Sequence, residues 1–447
     1  MKKRLRLGAG AGYSGDRIEP AVQLAEKGQL DYLIFECLAE RTIALAQKRK
    51  SHDPNLGFDP LLEDRMRACL VHCVANKTKI ITNMGAANPV AAMEKTIEVA
   101  RELGIEELKF AAITGDDVFS AIEGQDLILL ESGQSLRDIQ DQVISANAYL
   151  GIHPIIEALQ WGADVIITGR VADPSLFVAP IVNAFHWDLN DYDKLGKATL
   201  LGHLMECAGQ ITGGYFADPG YKDVSGLAKL GFPIAEIDAE GNFLISKLSD
   251  TGGQVTEATC KEQLLYEIHD PANYLTPDVV ADFSQVSFIT TAKDVVEAVG
   301  ATGKPKSGKL KVSVGYRDSY IGEGQISYAG PGALQRANLA IEVLKERFRI
   351  IGINLLEERY DLVGINSLGR NSITREQEQG EVRLRVAVRS DTMKDAISVG
   401  NEVEALYTNG PAGGGGAWKH AREVLAIQSV LIPEEQVKTK NYYRWLK

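Results

Sequence analysis

The sequence has little of what would place it in several large protein classes. Its five cysteines, Cys37, Cys69, Cys73, Cys207 and Cys260, are odd in number and dispersed, which argues against a disulfide framework and for reduced thiols. It has no basic stripe: the formal net charge is -12, so counterion release has no source and nucleic acid is not an expected partner. No apolar run approaches the roughly 18 residues of a membrane span; PIIEALQWGADVIITG is interrupted by Glu157 and Asp164. After Leu7 the basic N-terminus turns to glycine, alanine and serine without the apolar stretch of a secretory signal, and a soluble cytoplasmic protein is expected. Fixed-period repeats and long low-complexity tracts are also missing. What remains is ordinary globular material, 447 residues with 45% hydrophobic and 24% charged content, enough for two domains and a large core. For such an acidic, apolar-rich chain a homo-oligomer is the base-rate expectation.

Strand-like runs occur at 3–9, 31–36, 79–83, 107–114, 127–131 and 163–169, with helical stretches such as NPVAAMEKTIEVARELG and DIQDQVISANAYLG between them. This alternation predicts an α/β fold: an N-terminal domain over 1–225 with a mainly parallel sheet, doubly wound or barrel-like. Both closures stay open at this point. From 226 to 447 the texture changes to that of a second, α+β domain. FPIAEIDAEGNFLISKL reads as a hairpin and LKVSVGYRDSY with EGQISYAG as another pair. PGALQRANLAIEVLKERF and DAISVGNEVEALY read as helices, DLVGINSL and EVRLRVAVRS as strands, and GATGKPKSGK and NSLGRNSITREQEQGE as surface loops.

GAGAGYSGDR, residues 8–17, carries the GxGxxG spacing between a strand and a helix, with Glu36 standing 21 positions after Gly15, where an acid would meet a ribose. Against a dinucleotide, Asp16 to Glu19 has the form of a capping box, and a carboxylate at that helix end would repel pyrophosphate. NAD is therefore not the favoured cofactor. Charged or glycine-bearing turns recur after each parallel strand and bring Gly12, Asp16 and Arg17, then Glu36, Glu40 and Arg41, then Asn83 and Asn88, Asp116 and Asp117, and Arg170 and Asp173, to one predicted rim. Arg17, Arg41 and Arg170 stand beside helix N-termini, where the macrodipole disfavours cations, and a bound carboxylate, phosphate or acyl thioester would account for them. Taken singly, the turns read as helix caps.

Further along, His203 and Glu206 are three apart on a predicted helix, so that a carboxylate would hold the imidazole tautomer and raise its basicity. Tyr215 and Lys222 lie in the glycine-rich stretch beyond, a candidate lid in which Lys222 is expected to form an ion pair. Cys69, His72 and Cys73 share a helix face, but no second pair completes a zinc tetrahedron. NGPAGGGGAWKHAREVL, read as a glycine nest before a helix, offers an anion site or a hinge.

GAGYSGDRIEPAVQLAEKGQLDYLIFECLAERTIA, TNMGAANP, ITGRVADPSLF, GHLMECAGQITGGYFADPGYKDV, LLYEIHDPANYLTPDVVADF and ISYAGPGA resemble the acyclic terpene utilisation protein A (AtuA) family over most of the chain. The resemblance implies an enzyme of branched-acid and acyclic terpenoid catabolism, a lyase or hydratase acting on a branched carboxylate or acyl-CoA. Asp16, Glu36, His203 and Glu206 are its candidate catalytic residues. Gly12, Arg17, Arg41, Asn83, Asp116, Arg170, Asp173, Tyr215 and Lys222 are the candidate substrate contacts. Metal-dependent lyases of such substrates use a His-x-His pair, which the seven histidines do not contain; Glu36, Asp116 and Asp173 would be the oxygen ligands for Mg²⁺ or Mn²⁺. A nicotinamide oxidoreductase and a non-catalytic subunit that needs a partner protein are the alternatives.

Overall fold

A computed structural model describes residues 4–369 and 380–447. Five parallel strands form its centre: β1 (Arg4–Ala11), β2 (Tyr32–Phe35), β3 (Lys79–Thr82), β4 (Leu108–Thr114) and, after the short strand β5 (Val143–Ala148), β6 (Val165–Thr168). They lie in the order β1-β2-β3-β6-β4. YLIF of β2 and VIIT of β6 are buried at every residue, as strands covered on both faces must be. The connections run through helices α1 (Glu19–Lys27), α2 (Glu40–His52), α3 (Leu62–Asn76) and α4 (Pro89–Glu102), and the C-terminal ends of all five strands fall along one edge.

The sheet is mixed and open, not a barrel. Antiparallel β7 (Pro233–Asp238) pairs with β1 and is followed by β8 (Phe243–Lys247), Val295–Val299 and Ser287–Ala292, while Lys440–Leu446 pairs antiparallel with β4 at the other end, ten strands in all. The division expected near residue 225 therefore moves. Two compact units comprise Met1–Gly315 with Ile427–Lys447, and Tyr316–Ala426. The change of texture after 225 marks the switch from parallel to antiparallel strands of one sheet. The second unit is α+β: Ala337, Ala340, Leu344 and Phe348 of helix Ala333–Ile351, with Val399, Val403 and Leu406 of Met393–Asn409, form a core with Val382, Leu384, Val386 and Val388 of strand Glu381–Ser390.

Four local expectations are corrected. Residues 127–131 form turns, with Ile128 bridged to Ser135. The stretch expected as a helix at 138–151 instead takes a 3-10 turn (Leu136–Gln142) and then β5, in which β-branched Val143 and Ile144 favour extended backbone. LKVSVGYRDSYIGEGQISYA is one strand, Lys309–Ala329. Gly322 and Gly324 do not turn it; they admit the helix above, since a Cβ there would lie 2.0 Å from the Ala396 carbonyl oxygen and 2.6 Å from Val403. Strand Thr302–Lys304 interrupts the 300–309 loop. Residues 370–379 of the expected loop 366–381 lie outside the described residues. No helix among the described residues is long and apolar enough to cross a membrane.

One buried cation ties the β1 loop to the fold. Arg65 of α3 is completely buried; Nη2 donates to the carbonyls of Ser14 (2.8 Å), Asp16 (3.1 Å) and Tyr13 (3.4 Å), and Nη1 lies 3.4 Å from Asp59 Oδ1. Arg65→Met strands Asp59 and three carbonyls, and a loss of about 3–5 kcal/mol is expected in urea denaturation. Adding Asp59→Asn should recover part of it, because the uncompensated charge is then gone.

Candidate functional site

The glycines of the opening motif serve packing. A Cβ on Gly10 would lie 2.6 Å from the Phe35 ring, and one on Gly12 would lie 2.5 Å from the Cys207 carbonyl carbon, so β1 ends pressed against the end of helix α8 (Tyr192–Glu206). To reach it the chain passes α5 (Phe119–Ile122), α6 (His153–Trp161) and α7 (Ser175–Phe185). The capping box does not form: α1 starts at Glu19 with Ile18 as a cap that makes no side-chain bond. Asp16 turns back instead, accepting from Gly12 N–H (2.9 Å) and from its own neighbour Arg17 N–H (2.8 Å). Burial raises its pKa against the pull of those bonds.

Beside this loop, at the C-terminal edge of the parallel strands, lies a cavity of about 540 Å³ lined by Gly12, Glu36, Glu40, Tyr149, Arg170, Asp173, His203 and Glu206 among others. Arg170 is its centre. The side chain is completely buried, with its guanidinium carbon 4.2 Å from the centroid of the Tyr149 ring. Nη2 donates to Asp173, while Nε and Nη1 have no partner. Burial works against its charge, yet Asp173, Tyr149, Glu36 and Glu40 outweigh it and hold the guanidinium protonated. A buried donor pair left open costs free energy unless something occupies it.

Carboxyl groups crowd this cation. Glu36 Oε1 accepts from Asn83 Nδ2 (2.8 Å) and Leu38 N–H (2.9 Å). Burial nevertheless pushes its pKa up to about 7, against Arg170 and those bonds and with the help of Glu206. Asp173 is pushed upward by burial and by Glu36 and Glu206 despite its contact with Arg170. Glu40 goes the other way: burial raises it, but the Tyr149 hydroxyl (2.6 Å) and Lys311 (3.1 Å) bring it down to about 2. Glu36, Asp173 and Glu206 cannot all ionise around one guanidinium, so the cluster retains protons near neutrality.

His203 and Glu206 form the expected pair, Nδ1 lying 2.9 Å from Oε1. His203 Nε2 lies 3.1 Å from the Leu264 carbonyl; a carbonyl only accepts, so Nε2 carries a hydrogen and a single further proton occupies the Nδ1–Oε1 contact. Burial lowers the histidine pKa, but Glu206 overrides this and raises it. Burial raises Glu206 against the pull of His203. Its Oε2 is buried and has no partner. The pair can thus hold or release a proton at the cavity wall.

Other expected residues sit outside this cavity. Asn83 holds Glu36 and also accepts from Cys37 N–H (2.7 Å). Asp116, raised to about 6 by burial, accepts from Arg170 N–H (2.9 Å) and Asn147 (2.8 Å) and so braces the Arg170 backbone from behind. Both are positioning residues. Arg17 donates to the Leu227 carbonyl (3.0 Å), and Arg41 is exposed on α2 and does not line the cavity. Tyr215 is 88% exposed beside Asp16, and Lys222 pairs with Glu262. Of the three arginines, only Arg170 faces the cavity. Glu40, expected on the rim beside Glu36 and Arg41, lines the cavity; Tyr149 and Lys311 were not picked out as site residues. Tyr149 lies within the stretch 138–151 that reads as a helix, and Lys311 within one that reads as a strand of the second domain.

Among the described residues no group of three or more His, Cys, Asp or Glu side chains is arranged to hold a metal ion. Asp116 is turned away onto Asn147 and the Arg170 backbone, so the Glu36–Asp116–Asp173 set is not assembled. Cys69 and Cys73 are buried, and burial lifts the Cys69 thiol to about 12. The strand Gly415–Pro433 already includes Gly415 and Gly416 of the Gly413–Gly416 run, so the nest expected there has no helix N-terminus behind it.

The raised Glu36 pKa has a consequence for stability. With a folded pKa of about 7 against an ordinary 4.5, the native state binds the extra proton, so stability falls as pH rises from about 4.5 to about 7. Gln mimics the protonated acid and keeps the acceptor for Asn83 and Leu38. At pH 8 Glu36→Gln is expected to be more stable by roughly 3 kcal/mol, about 4 °C in Tm, and at pH 4 no different; calorimetry at the two pH values checks this.

The family model of acyclic terpene utilisation protein AtuA matches residues 5–443. No curated protein and no solved structure matches. With nearly the whole length matched, the chain belongs to the AtuA family of acyclic terpene utilisation proteins.

Proposed function

We propose that the protein is an enzyme of acyclic terpenoid and branched-acid breakdown, a lyase or hydratase that acts on a branched carboxylate or its acyl-CoA thioester. The observation that carries this reading is Arg170, which is fully buried and has two N–H-bearing nitrogens without partners at the wall of a closed-in cavity. Nε–H and Nη1–H point along different edges of the guanidinium, so each donates singly, to a carboxylate oxygen or to a thioester oxygen as negative charge develops on it. Reactions that make or break a bond beside a carbonyl proceed through that oxyanion and move a proton at the neighbouring carbon or hydroxyl. Glu36, poised near 7, and the one-proton His203–Glu206 pair are the groups placed to accept and return it. The differing environments of these carboxyls divide the acid and base roles.

Glu36 in the base role predicts a rate that rises as pH passes through about 7 and a Glu36→Gln variant that lacks this limb. Isovalerate or 3-methylcrotonyl-CoA, at about 100 times its dissociation constant, is expected to raise Tm by about 4 °C. Arg170→Met should abolish the shift, and Arg170→Lys, which keeps the charge without the planar fork, should retain only a fraction. A full shift in Arg170→Met would refute the assignment.

A further inference from the structure

Arg170 is not the only group of the cavity wall with an open hydrogen-bonding position. Glu206 is buried there; its Oε1 is engaged by His203 Nδ1, while Oε2 has no partner. The proton count fixes what Oε2 can do. With Nε2–H directed at the Leu264 carbonyl, the one remaining proton lies between Nδ1 and Oε1, so Oε2 carries no hydrogen whether that proton sits on the ring or on the carboxyl. In both states it is an acceptor, and burying it without a donor is costly. Tyr274 stands beside this pair. Its ring packs against His203, with centroids 5.4 Å apart, and against Phe283 at 5.2 Å. It lines the same cavity, and its hydroxyl makes no hydrogen bond among the described residues. A ligand hydroxyl meets both needs, since it donates to Oε2 and accepts from the phenol. An ammonium has no lone pair to accept with, and it would meet the Arg170 charge that already bears on Glu206.

We propose that Glu206 Oε2 and the Tyr274 hydroxyl receive a hydroxyl group of the molecule whose acidic head is held at Arg170, so that the preferred ligand is a hydroxy acid or its thioester and not the unsubstituted one. The inference rests on the reading of Arg170 above. It places the His203–Glu206 pair, with its single shared proton, at an oxygen of the ligand and not at a carbon.

The probes are 3-methylbutanoate and 3-hydroxy-3-methylbutanoate, an achiral pair that differs by one oxygen, titrated calorimetrically into the intact protein. The hydroxy acid is expected to bind about tenfold more tightly. Tyr274→Phe keeps the ring on His203 and Phe283 and removes only the hydroxyl; it should cut the preference to about threefold. Glu206→Met removes the acceptor and should abolish the preference. Glu206→Gln, whose amide N–H can donate to a neutral Nδ1 and whose carbonyl then takes the place of Oε2, should retain it; a merely structural role for Glu206 would not separate these two variants. Tyr274→Phe is the deciding variant if Glu206→Met folds poorly. Equal affinity of the two acids for the unmodified protein overturns the inference, as does an undiminished preference in either Tyr274→Phe or Glu206→Met, or tighter binding of 3-amino-3-methylbutanoate; the head site still stands if Arg170→Met weakens both acids. If both acids bind Arg170→Met as well as they bind the original chain, the head assignment has failed and the inference fails with it.

Discussion

The candidate site depends on keeping one guanidinium charged where water does not reach it. Arg170 leaves β6 at the edge of the parallel sheet and is enclosed by the Tyr149 ring and Asp173. Its backbone N–H is fixed by Asp116, which is itself held by Asn147. Removing a cation from water is costly; the surrounding acids outweigh that cost and keep the group charged, while Nε and Nη1 are left without acceptors. The perturbed groups around it follow from this arrangement. Glu36, Asp173 and Glu206 are drawn in by the charge and kept partly protonated by burial and by one another, while Glu40, with Tyr149 and Lys311 as partners, stays ionised.

Close backbone packing makes this possible. A Cβ on Gly169 would lie 2.4 Å from Asp116 Oδ1, and one on Gly202 would lie 2.7 Å from Pro174 Cα; these glycines let the brace sit behind Arg170 and α8 approach the start of α7. The motif glycines do the same for β1 against Phe35 and Cys207. A spacing that suggests a phosphate cradle is thus, in this chain, a record of tight contacts. Arg65 completes the frame by holding three carbonyls of the β1 loop.

The two units differ in how they use charge. In the first, buried charges converge on a cavity. In the second, Arg385 bridges Glu323 (2.7 Å) and Asp361 (2.9 Å) across neighbouring strands, and Arg359 also bonds Asp361 (2.7 Å). That ladder satisfies its members within the sheet and leaves no open donor comparable to those of Arg170.

What the sequence determined by itself is local. Runs such as YLIF and VIIT can only be buried strands, the turns after them must lie on one edge of a parallel sheet, and the i, i+3 spacing of His203 and Glu206 puts them on one helix face. Glu36, Arg170, Asp173, His203 and Glu206 were legible for that reason. Tertiary structure decided what depends on partners distant in the chain. Of the antiparallel strands that extend the sheet, β7 and Lys440–Leu446 are placed by pairing with β1 and β4 across more than two hundred residues, and β5 pairs with the distant strand Lys309–Ala329. Which of three similarly placed arginines turns inward is decided by what surrounds it: Arg17 finds a carbonyl, Arg41 finds solvent, and Arg170 finds an aromatic ring, an acid and an enclosed space. Desolvation is a property of that enclosure, so the shifted acids of the site could not be read from spacing alone.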